Sequence, residues 1–172
     1  ERDLPRLLTH YPDLLIGVNL APVDLLGNHI AERLELLFSR TAIRPHNLML
    51  EATERALINF DVSGDVIRNI RDKGVTVAID DFGTGYSSLS YLTSLAVDCL
   101  KIDKSFVETV GSGAATSKVV FYIIEMAKAL DLKMVAEGVE TEAQATFLLE
   151  NGVCCAQGWL YGHPMPAAEL EA

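Results

Sequence analysis

The chain has 172 residues, 49% of them apolar and 22% charged, which suits one folded domain and excludes an intrinsically disordered chain. Its net charge of −10 excludes a bare electrostatic grip on DNA, RNA or anionic lipid. An anionic substrate would have to come with metal ions or meet a few well-placed cations.

Cys99, Cys154 and Cys155 suggest no disulfide framework, which fits a reducing cytoplasm. The most apolar run, Val119 to Ile124, is far short of the roughly 20 residues of a membrane span. Glu1-Arg-Asp-Leu-Pro5 lacks the apolar centre of a secretory signal.

Taken in order, Leu14 to Leu20 is an apolar run of strand length, interrupted near its end by Asn19. Pro22 then opens a long helical stretch in which Leu26, Ile30, Leu34, Leu37 and Phe38 recur at helical spacing. Leu48 to Glu51 is a second strand. One helix begins around Thr53 or Glu54, and another carries Val62, Val66, Ile67 and Ile70 toward Gly74, placed as a left-handed C-cap. Val75 to Asp80 is the third strand, and Leu89, Leu92 and Leu95 mark a short helix after it.

Val97 to Asp103 is the fourth strand. The helix from Ala115 to Leu130 takes its buried face from Val119, Ile123, Met126, Ala127 and Leu130. Lys133 to Glu137 is a fifth strand, and a helix from Thr141 to Leu149 is closed by Gly152. Val153 to Gln157 is the sixth strand, and a short Ala/Glu/Leu segment ends the chain.

Strands apolar along their whole length and alternating with helices imply a parallel sheet covered by helices. Asn19, Glu51, Asp80 with Asp81, Lys101, Glu137 and Gln157 each fall at the carboxyl end of a different strand. In an open sheet only strands near the switch point share a site, whereas in a barrel every strand end points at one centre. The fold class is therefore α/β, a TIM-like (β/α) barrel. A full barrel takes eight strands in about 250 residues, so six strands here are expected to be the later two thirds of one domain, with roughly two strands upstream.

The adjacent Asp80 and Asp81 have two readings: a helix cap beside a solvated carboxylate, or a cation-binding pair. Both can face one site if the strand stops there and Asp81 belongs to the turn. The wider set of carboxylates and amides, without His or Cys, suits Mg²⁺ or Mn²⁺ better than zinc. His10, His29, His46 and His163 have no partner at ligand spacing and read as surface or packing residues. A two-metal phosphodiester hydrolysis fits, with a carboxylate bridging the ions, a water as nucleophile, and Lys101 orienting that water or neutralising phosphate. Gly83-Thr84-Gly85 does not have phosphate-loop spacing and reads as a flexible loop by the site. Asp103 and Lys104 read as loop and cap residues, and Glu142 and Glu150 as helix-surface charges. Phe82, Tyr86, Tyr91 and Phe106 could belong to the core or to a dimer contact.

Asp80-Asp-Phe-Gly-Thr-Gly-Tyr-Ser-Ser-Leu89, Leu100-Lys-Ile-Asp-Lys-Ser-Phe-Val107, Val135-Ala-Glu-Gly-Val-Glu-Thr141 and Ala156-Gln-Gly-Trp-Leu-Tyr-Gly162 together resemble the EAL family. These are bacterial domains that hydrolyse cyclic di-GMP to linear pGpG. The resemblance runs from about Gly17 to Pro166 and implies a barrel with one antiparallel strand. It implies metal-binding roles for Asn19, Glu51, Asp80, Asp81 and Glu137, with Lys101, Glu137 and Asp81 as the catalytic group. Glu54 would hold the Asp-Asp loop, and Gln157 and Glu140 would support metal or ligand geometry. Ala21 stands where the family usually has Ser.

The Glu-Ala-Leu signature belongs to an upstream strand that this chain does not contain, so one metal-binding glutamate of the family is missing. The resemblance further implies two Mg²⁺ or Mn²⁺ ions, a homodimer through Tyr86 to Leu95, and upstream sensor, receiver or GGDEF-type domains. The setting would be the cytoplasm, either free or as the cytoplasmic domain of a membrane-anchored protein. The rival reading is an inactive domain that senses cyclic di-GMP or binds a protein partner, which the missing glutamate would favour.

Overall fold

The computed structural model describes residues 4–27, 29–57, 60–84, 92, 95–112 and 115–170. Six strands form one sheet: β1 (Ile16–Leu20), β2 (Leu48–Thr53), β3 (Thr76–Phe82), β4 (Cys99–Ile102), β5 (Lys133–Ala136) and β6 (Cys155–Ala156). Each is hydrogen-bonded to the next in the chain, and every pairing is parallel. Parallel neighbours need a crossover, and the helices α1 (Leu4–His10), α2 (His29–Arg40), α3 (Phe60–Asp72), α4 (Lys104–Val107), α5 (Ala115–Ala129), α6 (Glu142–Glu150) and α7 (Ala167–Leu170) lie before, between and after the strands. The result is a half-barrel.

Alternation along the strands sorts the two faces. Leu50, Val77, Ile79, Leu100, Ile102 and Ala136 point into the layer between sheet and helices and are fully or almost fully buried there with Ile67, Ile70, Val120 and Ile124. The other face carries a smaller cluster of Met49, Ala78 and Cys99, packed by Val135. Farther along β2 and β4 the same face carries Glu51 and Lys101. At the opposite end of the strands, Asp98 accepts bonds from Arg71 Nε at 3.0 Å, Arg71 Nη2 at 2.7 Å and the Val77 amide at 2.9 Å. That carboxylate ties α3, β3 and the start of β4 together.

Three sequence expectations change in detail. The long helix from Pro22 is two elements, a 3₁₀ turn (Pro22–Leu25) and α2, separated at Gly27, whose φ of 95° no right-handed helix accommodates. The helix expected from Thr53 or Glu54 is only a short 3₁₀ turn (Glu54–Leu57), and the separate helix expected to carry Val66, Ile67 and Ile70 is α3. In α5 the buried face is Val120, Ile123, Ile124 and Ala127, while Val119 is exposed. Every position from 119 to 124 is apolar or aromatic, so helical spacing alone could not choose the face.

Gly74, with φ of 85°, closes α3 through its amide to the Arg71 carbonyl, as its position suggested. Asp103 and Lys104, expected as loop and cap residues, open the short helix α4, in which Asp103 is the N-cap and accepts from the Ser105 amide at 3.0 Å. Phe82 is a core residue. Most of the segment from Tyr86 to Leu95, including Tyr91, lies outside the described residues. Leu92 and Leu95 within it are buried.

Candidate active site

The Asp pair is placed by a bulge. Between the pairs Ile79↔Leu100 and Phe82↔Ile102, β3 advances three residues while β4 advances two. Ile79 and Phe82 are an odd number of residues apart, yet both belong to the apolar core. Regular alternation forbids that, and one extra residue allows it. The strain falls on Asp81, whose φ is 53°, a left-handed conformation that Asp adopts more readily than most residues. The strand thus continues past the pair to Phe82, and the convergence of the two carboxylates comes from the bulge rather than from the end of the strand.

Lys101 sits at the centre. Its side chain is only 4% exposed, and its Nζ lies 2.5 Å from Glu51 Oε2, 2.7 Å from Glu137 Oε1 and 2.9 Å from Asp80 Oδ1. Burial pulls the ammonium toward neutrality, but the carboxylates of Glu137, Glu51 and Asp80 around it outweigh that and raise its pKa. It is therefore a fixed cation and not a base. Glu137 is pushed up by burial, with Lys101 opposing that shift. Asp81 is pushed up by desolvation first, then by the charges of Asp80 and Asp103.

Gln157 donates to Glu137 Oε1 at 2.6 Å, so that oxygen takes both the amide and the ammonium. Gly17 makes room across the sheet: a Cβ there would stand 2.0 Å from Glu51 Oε1. Glu54 is buried and accepts from the Gly83 amide at 3.2 Å, which ties it to the loop after Asp81. Asn19 is in register with Glu51 on the neighbouring strand and is exposed. Glu140 is not in the Lys101 cluster. It pairs with Lys104 at 2.7 Å, and Lys104 Nζ also lies 4.9 Å from the centre of the Trp159 ring.

Glu140, expected to support metal or ligand geometry, thus belongs to a second group whose other members, Lys104 and Trp159, had no expected site role, and the group lines a cavity of about 400 Å³ with Gln157 and His163. Trp159 lies in a Gly-rich tail with no periodicity, and its place in the Ala156–Gly162 motif was the one mark it carried in the sequence. All four histidines are exposed.

The donor set fits a divalent cation on two observations. Single carboxylate oxygens of Asp80, Asp81 and Glu137 lie within 4.8 Å of one another. Asp80 Oδ1 is buried and, although it forms an ion pair with the ammonium at 2.9 Å, accepts no well-formed hydrogen bond among the described residues. A buried oxygen left without a donor is what a hard cation would satisfy.

The chain matches the family described as the EAL domain over residues 2–164. The chain belongs to the EAL domain family. It is 43% identical over 168 residues to the probable cyclic di-GMP phosphodiesterase PdeB of Escherichia coli (strain K12), covering 98% of this chain and 32% of that protein. MucR of Pseudomonas aeruginosa, described as a bifunctional diguanylate cyclase/cyclic di-GMP phosphodiesterase, is 39% identical over 163 residues, covering 94% of this chain and 24% of that protein. The chain thus spans about a third or less of the length of these relatives.

The PaMucR phosphodiesterase solved as a c-di-GMP complex superposes with a TM-score of 0.89 at 38% identity, covering 98% of this chain and 69% of that one. Klebsiella pneumoniae BlrP1, solved with cyclic di-GMP and manganese, gives 0.79 at 30% identity, covering 94% of this chain and 42% of that one. BlrP1 has also been solved with cyclic di-GMP and calcium. The expected TIM-like barrel fold holds, with six parallel strands of it described here.

Proposed function

We propose that this EAL chain is the later two thirds of a metal-dependent phosphodiesterase domain that hydrolyses cyclic di-GMP to linear pGpG. The observation that carries the reading is the cluster of Glu51, Asp80 and Glu137 around the buried Lys101, with Asp81 beside it, in a chain similar to named cyclic di-GMP phosphodiesterases. Four carboxylates against one ammonium leave excess negative charge that Mg²⁺ or Mn²⁺ would offset.

Asp80, Asp81 and Glu137 would hold the ions, with Glu51 and Asn19 from the adjoining strands. When bound, the ions supply Lewis-acid polarisation of a phosphoryl oxygen and of the attacking water. Hydrolysis adds water across one phosphodiester P–O bond: a new P–O bond forms from the water, the 3′ oxygen leaves, and that oxygen gains a proton. Glu137, whose carboxyl is pushed upward by burial, is suited to accept a proton from the water. Lys101, held charged, donates hydrogen bonds and stabilises negative charge on the phosphate. Gln157 fixes the Glu137 carboxylate, and Glu54 fixes the loop behind Asp81. Glu140 would act at the edge of the site through Lys104.

A non-catalytic sensor of cyclic di-GMP is favoured by one feature. Lys101 already holds Glu51, Asp80 and Glu137 together without a metal, although one ammonium offsets only one of their three charges. The complete protein with Mg²⁺ or Mn²⁺, assayed for pGpG by chromatography, decides between the two. Product formation supports the enzyme, and bound ligand without product supports the sensor. Asp80→Asn is expected to abolish turnover, and an unchanged rate would overturn the assignment of the site. Calcium, with its looser coordination, is expected to support binding but little turnover. A homodimer through the Tyr86 to Leu95 segment and upstream sensor or GGDEF-type domains complete the proposal.

A further inference from the structure

We propose that Phe106 is a positioning residue for the Asp80–Asp81 carboxylate pair, acting through Gly83. Gly83 follows Asp81 by two residues and has φ of 94°, and its amide is held by Glu54. On its other side the space a Cβ would take is already filled. Such an atom would lie 2.8 Å from Phe106 Cε2, 2.9 Å from Phe106 Cζ and 3.6 Å from Ile123 Cδ1. The loop is thus clamped between a carboxylate and an aromatic ring. Both Thr84 bonds, amide and hydroxyl, return to the Asp81 carbonyl at 3.3 Å and 2.9 Å, so a shift at Gly83 is passed directly to the bulge.

The ring comes from the Lys101 side of the site. Phe106 lies in α4, whose N-cap Asp103 follows Lys101 by two residues. One ring therefore fixes the distance between the strand that supplies the ammonium and the loop that supplies the two carboxylates. Glycine is needed at position 83 twice over, for its positive φ and for this contact. Ile123 of α5 borders the same space beside Gly83, so the position of that helix also bears on the bulge.

The activity arm of the test rests on the phosphodiesterase reading, while the metal and exchange arms do not. In the complete protein, Phe106→Ala is expected to weaken manganese binding about 10- to 100-fold, read from the electron paramagnetic resonance signal of free Mn²⁺. With cyclic di-GMP, kcat should fall more than KM rises. Phe106→Leu, which keeps apolar volume under Gly83, should hold affinity nearer the wild type. Gly83→Ala should weaken binding in the parent, and adding Phe106→Ala should recover part of that loss by clearing room for the new Cβ.

A folded Phe106→Ala protein with wild-type manganese affinity would overturn the proposal, as would losses that simply multiply in the double variant. If Phe106→Ala does not fold, Phe106→Leu and Gly83→Ala decide on the same readouts. Wild-type protein that binds manganese without hydrolysing substrate would refute the phosphodiesterase reading alone. If the wild type binds no manganese, amide hydrogen exchange over residues 80–84 decides: faster exchange in the variant supports the brace, and unchanged exchange overturns it.

Discussion

A buried lysine among carboxylates is stable only as a set. Removing Lys101 would leave Glu51, Asp80 and Glu137 facing one another without a cation. Lys101→Met is therefore expected to lower the metal-free unfolding free energy by about 3–5 kcal/mol, measured by urea titration. Manganese should restore part of the loss, since a divalent cation can take the ammonium's place. Cys99 offers a pH test. Burial pushes its thiol up to about 11, whereas Cys154 is exposed.

At pH 8, iodoacetamide should label Cys154 in the folded protein and spare Cys99, as read by peptide mass spectrometry. Because the folded value lies above the unfolded one, the stability this thiol contributes is complete below about 9. It is lost as pH rises through about 11. At this scale most of the site could be read from the sequence, because polar residues at the ends of apolar strands are conspicuous. The Asp80–Asp81 bulge also left a trace, the odd spacing of Ile79 and Phe82. The pairing of Glu140 with Lys104 and Trp159 left none, since it depends on how a loop and a tail meet.

At the scale of elements, the two ends of the strands do different work. Asp98 lies at the end away from the Lys101 cluster and accepts three hydrogen bonds from Arg71 and Val77. Asp98→Ala should cost about 1.5–3 kcal/mol by urea unfolding and leave manganese affinity close to the parent's. A matching loss of metal binding would show that the two ends are coupled. The strands and most helices were legible because parallel strands are continuously apolar and their helices are punctuated by glycines such as Gly74. The face of α5 was not, because every residue from 119 to 124 is apolar or aromatic, and tertiary packing chose among them.

Across the whole molecule, the described sheet has two unpaired edges, β1 and β6. Val18 on β1 is 40% exposed, Trp159 is 58% exposed and Tyr161 is 59% exposed. Unpaired edges with apolar neighbours invite pairing between chains. The 172-residue chain alone is expected to self-associate as its concentration rises, measured by sedimentation velocity, and Val18→Lys should reduce that association. A cooperative melt from a strictly monomeric chain would contradict this.

Strand order equal to chain order also bears on synthesis. Each strand pairs with the one made just before it, so the sheet can be assembled from the amino end as the chain leaves the ribosome. Glu51 and Asp80 emerge on the second and third strands, ahead of the ammonium on the fourth. Until β4 is added, the nascent sheet carries two carboxylates with no counter-ion from the cluster. Docking of that strand then supplies both the next backbone partner and the charge that lets the carboxylates close together.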